Sequence, residues 1–254
     1  MLHLFTLEFR RNPIIKYLLI ILTTAAFLLG LTYLFAYIPH KNSAIPLGMA
    51  IVHAIAPVFS NYKTIAALTS ILSMVCFAVF SAAVFNQFII HDFTGKRFYL
   101  LLSYPIKNST IFLVKAVTAV ILSISAMLLC NLLVFTFFYY TETIFPMVKG
   151  DAISASLFYD TGKLSLLFSV IAAAIGLISM QIGFVKKSSH ITLIVSFAFS
   201  VLLSNLLDVS LLADLNAAVA GFTAFAIVLS LAGAIFTLIL IPKINQMAVS
   251  YTHL

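Results

Sequence analysis

Gly95 and Lys96 stand where a nucleotide-phosphate loop would have its last glycine and its lysine. That loop also needs an earlier glycine and a following Ser or Thr, so that backbone amides ring the phosphate and a hydroxyl reaches the metal; Ile90 and Arg97 occupy those positions. No ATP site is expected in the chain. The H-E-x-x-H pair of a zinc protease and a G-x-S-G serine elbow are both missing from the sequence. Tyr159 with Asp160 resembles half of an intramembrane aspartyl protease pair, but no G-x-G-D partner follows. His53 has no metal-type residue three or four positions on, and Cys76 and Cys130 both sit inside apolar runs, where packing is the expected role. The chain reads as a protein without catalytic residues, bound cofactor or metal.

What remains are amides and hydroxyls set in apolar surroundings. Ser196, Ser200 and Ser204 repeat at i, i+4, i+8, while Ala172 with Gly176 and Ser179 with Gly183 are small-xxx-small pairs. Asn131, Gln181 and Asn205 each carry an amide that wants a partner in hydrocarbon. These residues either line a route or hold helices together, with close packing the favoured reading.

The elements that must position them follow from composition. Of 254 residues 63% are hydrophobic and 8% charged, which places the chain outside the soluble globular range and makes it an all-α integral membrane protein. The net charge of +7 comes without any basic run interleaved with aromatics, so it orients the chain in a lipid bilayer and attracts anionic headgroups; nucleic acid is not an expected partner. The first apolar run is long enough to span and no cleavage pattern follows it, so a cleaved signal peptide is not expected.

Residues 1–11 set Leu2, Phe5 and Phe9 on one face and read as an interfacial helix. Asn12 and Pro13 then start a new helix. Six spans are predicted over 17–38, 64–85, 111–139, 164–185, 190–207 and 217–241, each long enough at ~1.5 Å per residue to cross most or all of a core of ~30 Å. Residues 43–62 are apolar but broken by Pro46, Gly48, His53 and Pro57, and read as an external interfacial or re-entrant piece. Residues 140–163 and 208–216 are expected as outer loops, 186–189 as a tight inner turn, and Pro242 with Lys243 as the end of the sixth span. The terminal VSYTHL extends no periodic pattern and contributes nothing to the reading.

With that layout ten Lys and Arg fall on one side (Arg10, Arg11, Lys16, Lys96, Arg97, Lys107, Lys115, Lys186, Lys187, Lys243) and four on the other (Lys41, Lys63, Lys149, Lys163). The bias predicts both termini in the cytoplasm, as for a multi-pass protein of a bacterial cell membrane. Lys115, one turn inside the third span, either snorkels back to the surface or meets Asp92.

The segment 91–110 is the distinctive stretch. After Asp92, Gly95 suits a helix C-cap; 96–103 then makes about two turns with Phe98, Leu101 and Leu102 on one face. Pro105 stops it and Asn108 or Ser109 caps the third span. Asp92, then Gly95, Lys96 and Arg97, then Leu101, Leu102, Ser103, Tyr104, Pro105 and Ile106, then Lys115, form a pattern that resembles the permease subunits of ABC-type exporters of the type 2 class. That family's leading glutamate is not matched unless Asp92 fills its place, and the loop before the sixth span is too short for the re-entrant helices of the larger lipid exporters. The resemblance covers the whole chain in architecture and this one segment in sequence. It implies a cytoplasmic coupling helix between spans two and three, an ATPase-coupling role for Asp92, Gly95, Lys96, Arg97, Phe98, Leu101, Leu102 and Pro105, a separate ABC ATPase subunit that holds ATP and Mg, and a second permease half. The uncharged spans suit an amphipathic peptide, an antibiotic or a lipid-like substrate. A non-transporting immunity or accessory protein that binds a peptide or a partner helix is the alternative.

Overall fold

The computed structural model describes residues 14–37, 61–93, 108–146, 154–213 and 215–252, with 14, 108, 155, 208–213, 215–218 and 243–252 described by backbone alone. All of the regular structure in these residues is helical. Six long helices follow in order: α1 (Ile14–Tyr37), α2 (Tyr62–Phe85), α3 (Asn108–Ile144), α4 (Ala155–Val185), α5 (Ser189–Ala213) and α6 (Leu215–Thr252). Each contains a stretch long and apolar enough to cross a membrane, so the chain is a multi-pass membrane protein. Helix is the form that lets an unpaired stretch of backbone satisfy its own polar groups in lipid. The predicted interfacial helix over 1–11, the segment 43–60 and the coupling segment 94–107 lie outside the described residues.

Cross-helix bonds fix the direction of each helix. At one end Tyr17 Oη donates to Gln87 Oε1 (3.1 Å), Lys115 Nζ to Asp92 Oδ2 (2.5 Å) and Asn86 Nδ2 to the Ser189 carbonyl (3.5 Å). At the other end Tyr33 bonds Thr141, Tyr62 Oη donates to Glu142 Oε2 (2.8 Å) and Lys63 Nζ to Asp160 Oδ2 (3.2 Å). With α6 set against α4 by Phe168 on Phe222 (5.4 Å) and Gln181 on Thr237 (3.0 Å), the helices alternate up and down, and α1 starts at the same end where α6 finishes. The two ends are called here the Asp92 end and the Tyr62 end.

The parallel pair α2 and α4 forms the middle: 67% of the apolar window of each is buried, against 17% for α1 and 28% for α5 and α6. The glycines of α4 allow this closeness. A Cβ on Gly176 would overlap the Ser81 side chain of α2, and one on Gly183 would overlap Thr192 of α5. Cys130 is buried and Cys76 half-buried, both as free thiols.

Three boundaries differ from the sequence reading. The outer loop expected over 140–163 is largely helix, because α3 continues to Ile144 and α4 begins at Ala155. Tyrosine, threonine and one buried carboxylate carry these turns past the apolar windows by bonding one another. The loop expected over 208–216 is also helical on both sides of residue 214, since no glycine or proline interrupts it. Finally, the apolar span of α6 ends at Pro242 as expected, but the helix itself runs on to Thr252. A proline inside a helix costs it one bond, here the donor to the Leu238 carbonyl, and exposed Pro242 stands at the edge of the apolar window, where that loss is tolerated.

Candidate functional site

Asp92 is positioned by a change of helical pitch. Beyond Phe85 the α2 backbone widens into a π-helical turn, Asn86–Ile90, and resumes as His91–Phe93. One extra residue in a turn rotates everything after it by about 100° relative to a regular α-helix. Asp92 is thereby brought onto Lys115 of α3. The pair is closed off, with side-chain exposures of 3% for Asp92 and 2% for Lys115.

Three buried phenylalanines, from the His91–Phe93 turn, α3 and α4, pack on one another at this end of the bundle. Phe93 meets Phe112 edge-on (5.7 Å between centroids) and Phe184 (6.4 Å), and Phe112 and Phe184 lie 6.5 Å apart. Phe93 adjoins Asp92 in sequence, and Phe112 lies one turn before Lys115. Burial of two charges beside such rings costs several kcal/mol per ion before their attraction is counted, so the pair adds little net stability. Its use is positional: it sets how α2 and α3 stand to each other where the chain leaves at Phe93 and returns at Asn108. Of the two expectations for Lys115, contact with Asp92 is the one realised.

The chain turns just beyond this site on the α4 side. Lys187 has φ 51°, and Ser188 N donates to the Gly183 carbonyl (3.0 Å) while Lys187 N donates to the Phe184 carbonyl (3.2 Å). This is a Schellman closure with lysine in the left-handed position. It holds exposed Lys186 and Lys187 at the same end as the buried pair.

Of the coupling residues named from the sequence, Asp92 is described, whereas Gly95, Lys96, Arg97, Phe98, Leu101, Leu102 and Pro105 lie outside the described residues. The polar residues of the spans go to separate places. Asn131 Nδ2 donates to Ser165 Oγ across α3 and α4 (3.3 Å). Gln181 Nε2 donates to the Gly233 carbonyl and to Thr237 Oγ1 across α4 and α6 (3.0 Å each). Ser196 Oγ donates to the Ala78 carbonyl across α5 and α2 (2.8 Å). Ser200, Ser204 and Asn205 bond carbonyls of their own helix, and Asn205 is exposed. These residues tie three different helix pairs and do not converge on one passage. In this arrangement the buried amides and Ser196 serve as fasteners.

A second cluster, with no counterpart among the residues expected from sequence, lies at the Tyr62 end. There Tyr33, Thr141, Tyr62 and Glu142 link α1, α2 and α3, Tyr139 Oη pairs with Thr161 Oγ1 (3.1 Å), and Lys163 sits over the Tyr159 ring (4.1 Å). The available signal was the run of tyrosine, threonine and glutamate at 139–143, at the close of an apolar helix. Among the described residues, no three His, Cys, Asp or Glu side chains gather into a metal site.

Comparison with protein-family models, with curated proteins and with solved structures finds no match for this chain. The chain's own residues therefore carry the functional reading.

Proposed function

We propose that this chain is the permease subunit of an ATP-driven exporter of the type 2 ABC class, moving an amphipathic peptide, an antibiotic or a lipid-like molecule across the cell membrane. In this reading the Asp92 end faces the cytoplasm, where the segment 94–107 forms a coupling helix for a separate ATPase subunit, and a second permease half completes the pathway. The observation that carries it is the buried ion pair of Asp92 and Lys115 (2.5 Å) at the two roots of that segment. A mobile linker has no need of such a brace. A segment that must pass a push from a soluble partner into α2 and α3 does, because force is transmitted only through roots that hold their relative position.

The orientation rests on charge. Lys16, Lys186 and Lys187 are exposed at the Asp92 end, whereas Lys63 at the opposite end is offset by Asp160. Together with the ten-to-four count of the whole chain, this favours the Asp92 end as cytoplasmic.

The test is to co-express the chain with the ATPase subunit encoded beside it and to purify the complex. Replacing Phe98 and Leu102 together by aspartate should leave membrane insertion intact and abolish the response of ATP hydrolysis to substrate. A double variant that stays fully coupled overturns the assignment. So does uphill transport by this polypeptide reconstituted alone, while a chain that protects against a peptide without any ATPase would favour the immunity or accessory reading.

A further inference from the structure

A groove of about 380 Å³ lies between α3, α4 and α6, away from the Asp92 and Lys115 pair. Its size is in the range of small-molecule sites, ~300–1,000 Å³. The floor is made of the small buried side chains Ala116, Ala173 and Ala174. The rim is Leu113, Val117, Ile121 and Leu238, all exposed and continuous with the lipid-facing belt of α3 and α6.

Among the lining residues only Ser230 and Thr237 carry a polar side-chain atom, and both atoms are engaged. Ser230 Oγ donates to the Ile227 carbonyl (2.9 Å); Thr237 Oγ1 donates to the Gly233 carbonyl (2.6 Å) and accepts from Gln181 Nε2 (3.0 Å). A guest with backbone amides would bury them against hydrocarbon without partners, which excludes an extended peptide. Along α3 the groove runs from Leu113 to Ile124, about 16 Å at ~1.5 Å per residue. That is close to the depth of a single leaflet in a core of ~30 Å, and a partner helix would need to cross both leaflets.

We propose that this groove holds one fatty acyl chain of a lipid from the leaflet at the Asp92 end. The guest is all hydrocarbon, enters sideways from the belt and reaches the middle of the bilayer. The site does not depend on the ATPase reading, since neither the coupling segment nor the ion pair contributes to it.

The test uses the full chain in phosphatidylcholine and phosphatidylglycerol vesicles doped with a phospholipid bearing a photoactivatable diazirine within its acyl chain. After irradiation, adducts should concentrate on Ala116, Val120 and Leu177 relative to Ile194 and Leu202 on the open face of α5. Ala234→Phe, which fills the groove from α6, should reduce groove labelling to the α5 level and leave α5 labelling unchanged. Val117→Phe at the exposed rim does the same without touching the floor and serves if Ala234→Phe fails to fold. Equal labelling of groove and α5 in the wild type overturns the proposal, as does full groove labelling in both folded variants. Covalent dimers formed in vesicles through Val117→Cys, with Cys76 and Cys130 replaced by alanine, also overturn it by placing a second copy in the groove.

Discussion

The two ends of the bundle each hold a lysine paired with an aspartate, and the pairs differ in almost everything but chemistry. Lys115 and Asp92 stand 2.5 Å apart with 2% and 3% of their side chains exposed; Lys63 and Asp160 stand 3.2 Å apart with 46% and 44% exposed. Water screens the second pair and frees its long side chains to find other positions, so exposed pairs are worth about 0–1 kcal/mol. Burial denies the first pair that screening. Removing either partner would leave a buried charge without its strongest counter-charge. The difference teaches that the same two side-chain types form a contact costly to break where they are buried, at the Asp92 end, and a cheap one where water reaches them, at the Tyr62 end.

The largest expected effect is therefore Lys115→Met, which takes the facing cation from buried Asp92 and should destabilise the bundle by about 3–5 kcal/mol. Unfolding in mixed micelles as SDS is added measures it. Asp92→Leu combined with Lys115→Met should recover most of that loss, because two apolar side chains often replace a buried pair without penalty. If the permease reading holds, the double variant will be stable yet poorly coupled, since the brace between the roots of 94–107 is gone. A double variant as unstable as the single one would show that an uncompensated buried charge is not what makes Lys115→Met costly.

At the Tyr62 end, Tyr62→Phe removes the hydroxyl that donates to buried Glu142 (2.8 Å). A hydrogen bond to a carboxylate contributes about 1.5–3 kcal/mol, and the same SDS titration should read a loss in that range. Between the two ends, Gly176→Ala places a methyl group on Ser81 where the backbones of α4 and α2 are already close. Overpacking of this kind costs about 1–3 kcal/mol. Pairing it with Ser81→Gly should relieve most of the loss; persistence of the full penalty would mean that the two helices do not touch there.

How far these features could be read from the sequence depended on whether they are set by one helix or by two. The six spans were legible because apolar length alone decides them. The glycines at 176 and 183 were legible as a packing face because small residues at helical spacing have few other uses in lipid. Lys115 was legible only as a choice between surface and Asp92, because what decides it is the π-helical turn at Asn86–Ile90, and nothing in NQFII announces a wider turn. The Glu142 and Tyr62 contact joins residues eighty positions apart, and no local pattern encodes such a distant pairing. The serines at 196, 200 and 204 share a stripe, but only Ser196 reaches another helix, because the distance between α5 and α2 is not encoded in the spacing.

The smallest expected effect completes the comparison. Lys63→Ala removes the exposed pair with Asp160 and should change stability by at most about 1 kcal/mol, with the difference fading as salt is raised. Lys63 and Asp160 also border a hollow of about 210 Å³ at the head of α2 and α4, so the lost side chain is replaced by water rather than by a void. A loss comparable with that of Lys115→Met, or one indifferent to salt, would mean that the Lys63 pair is shielded from solvent in the membrane. The contrast between a costly buried pair and a cheap exposed one would then fail.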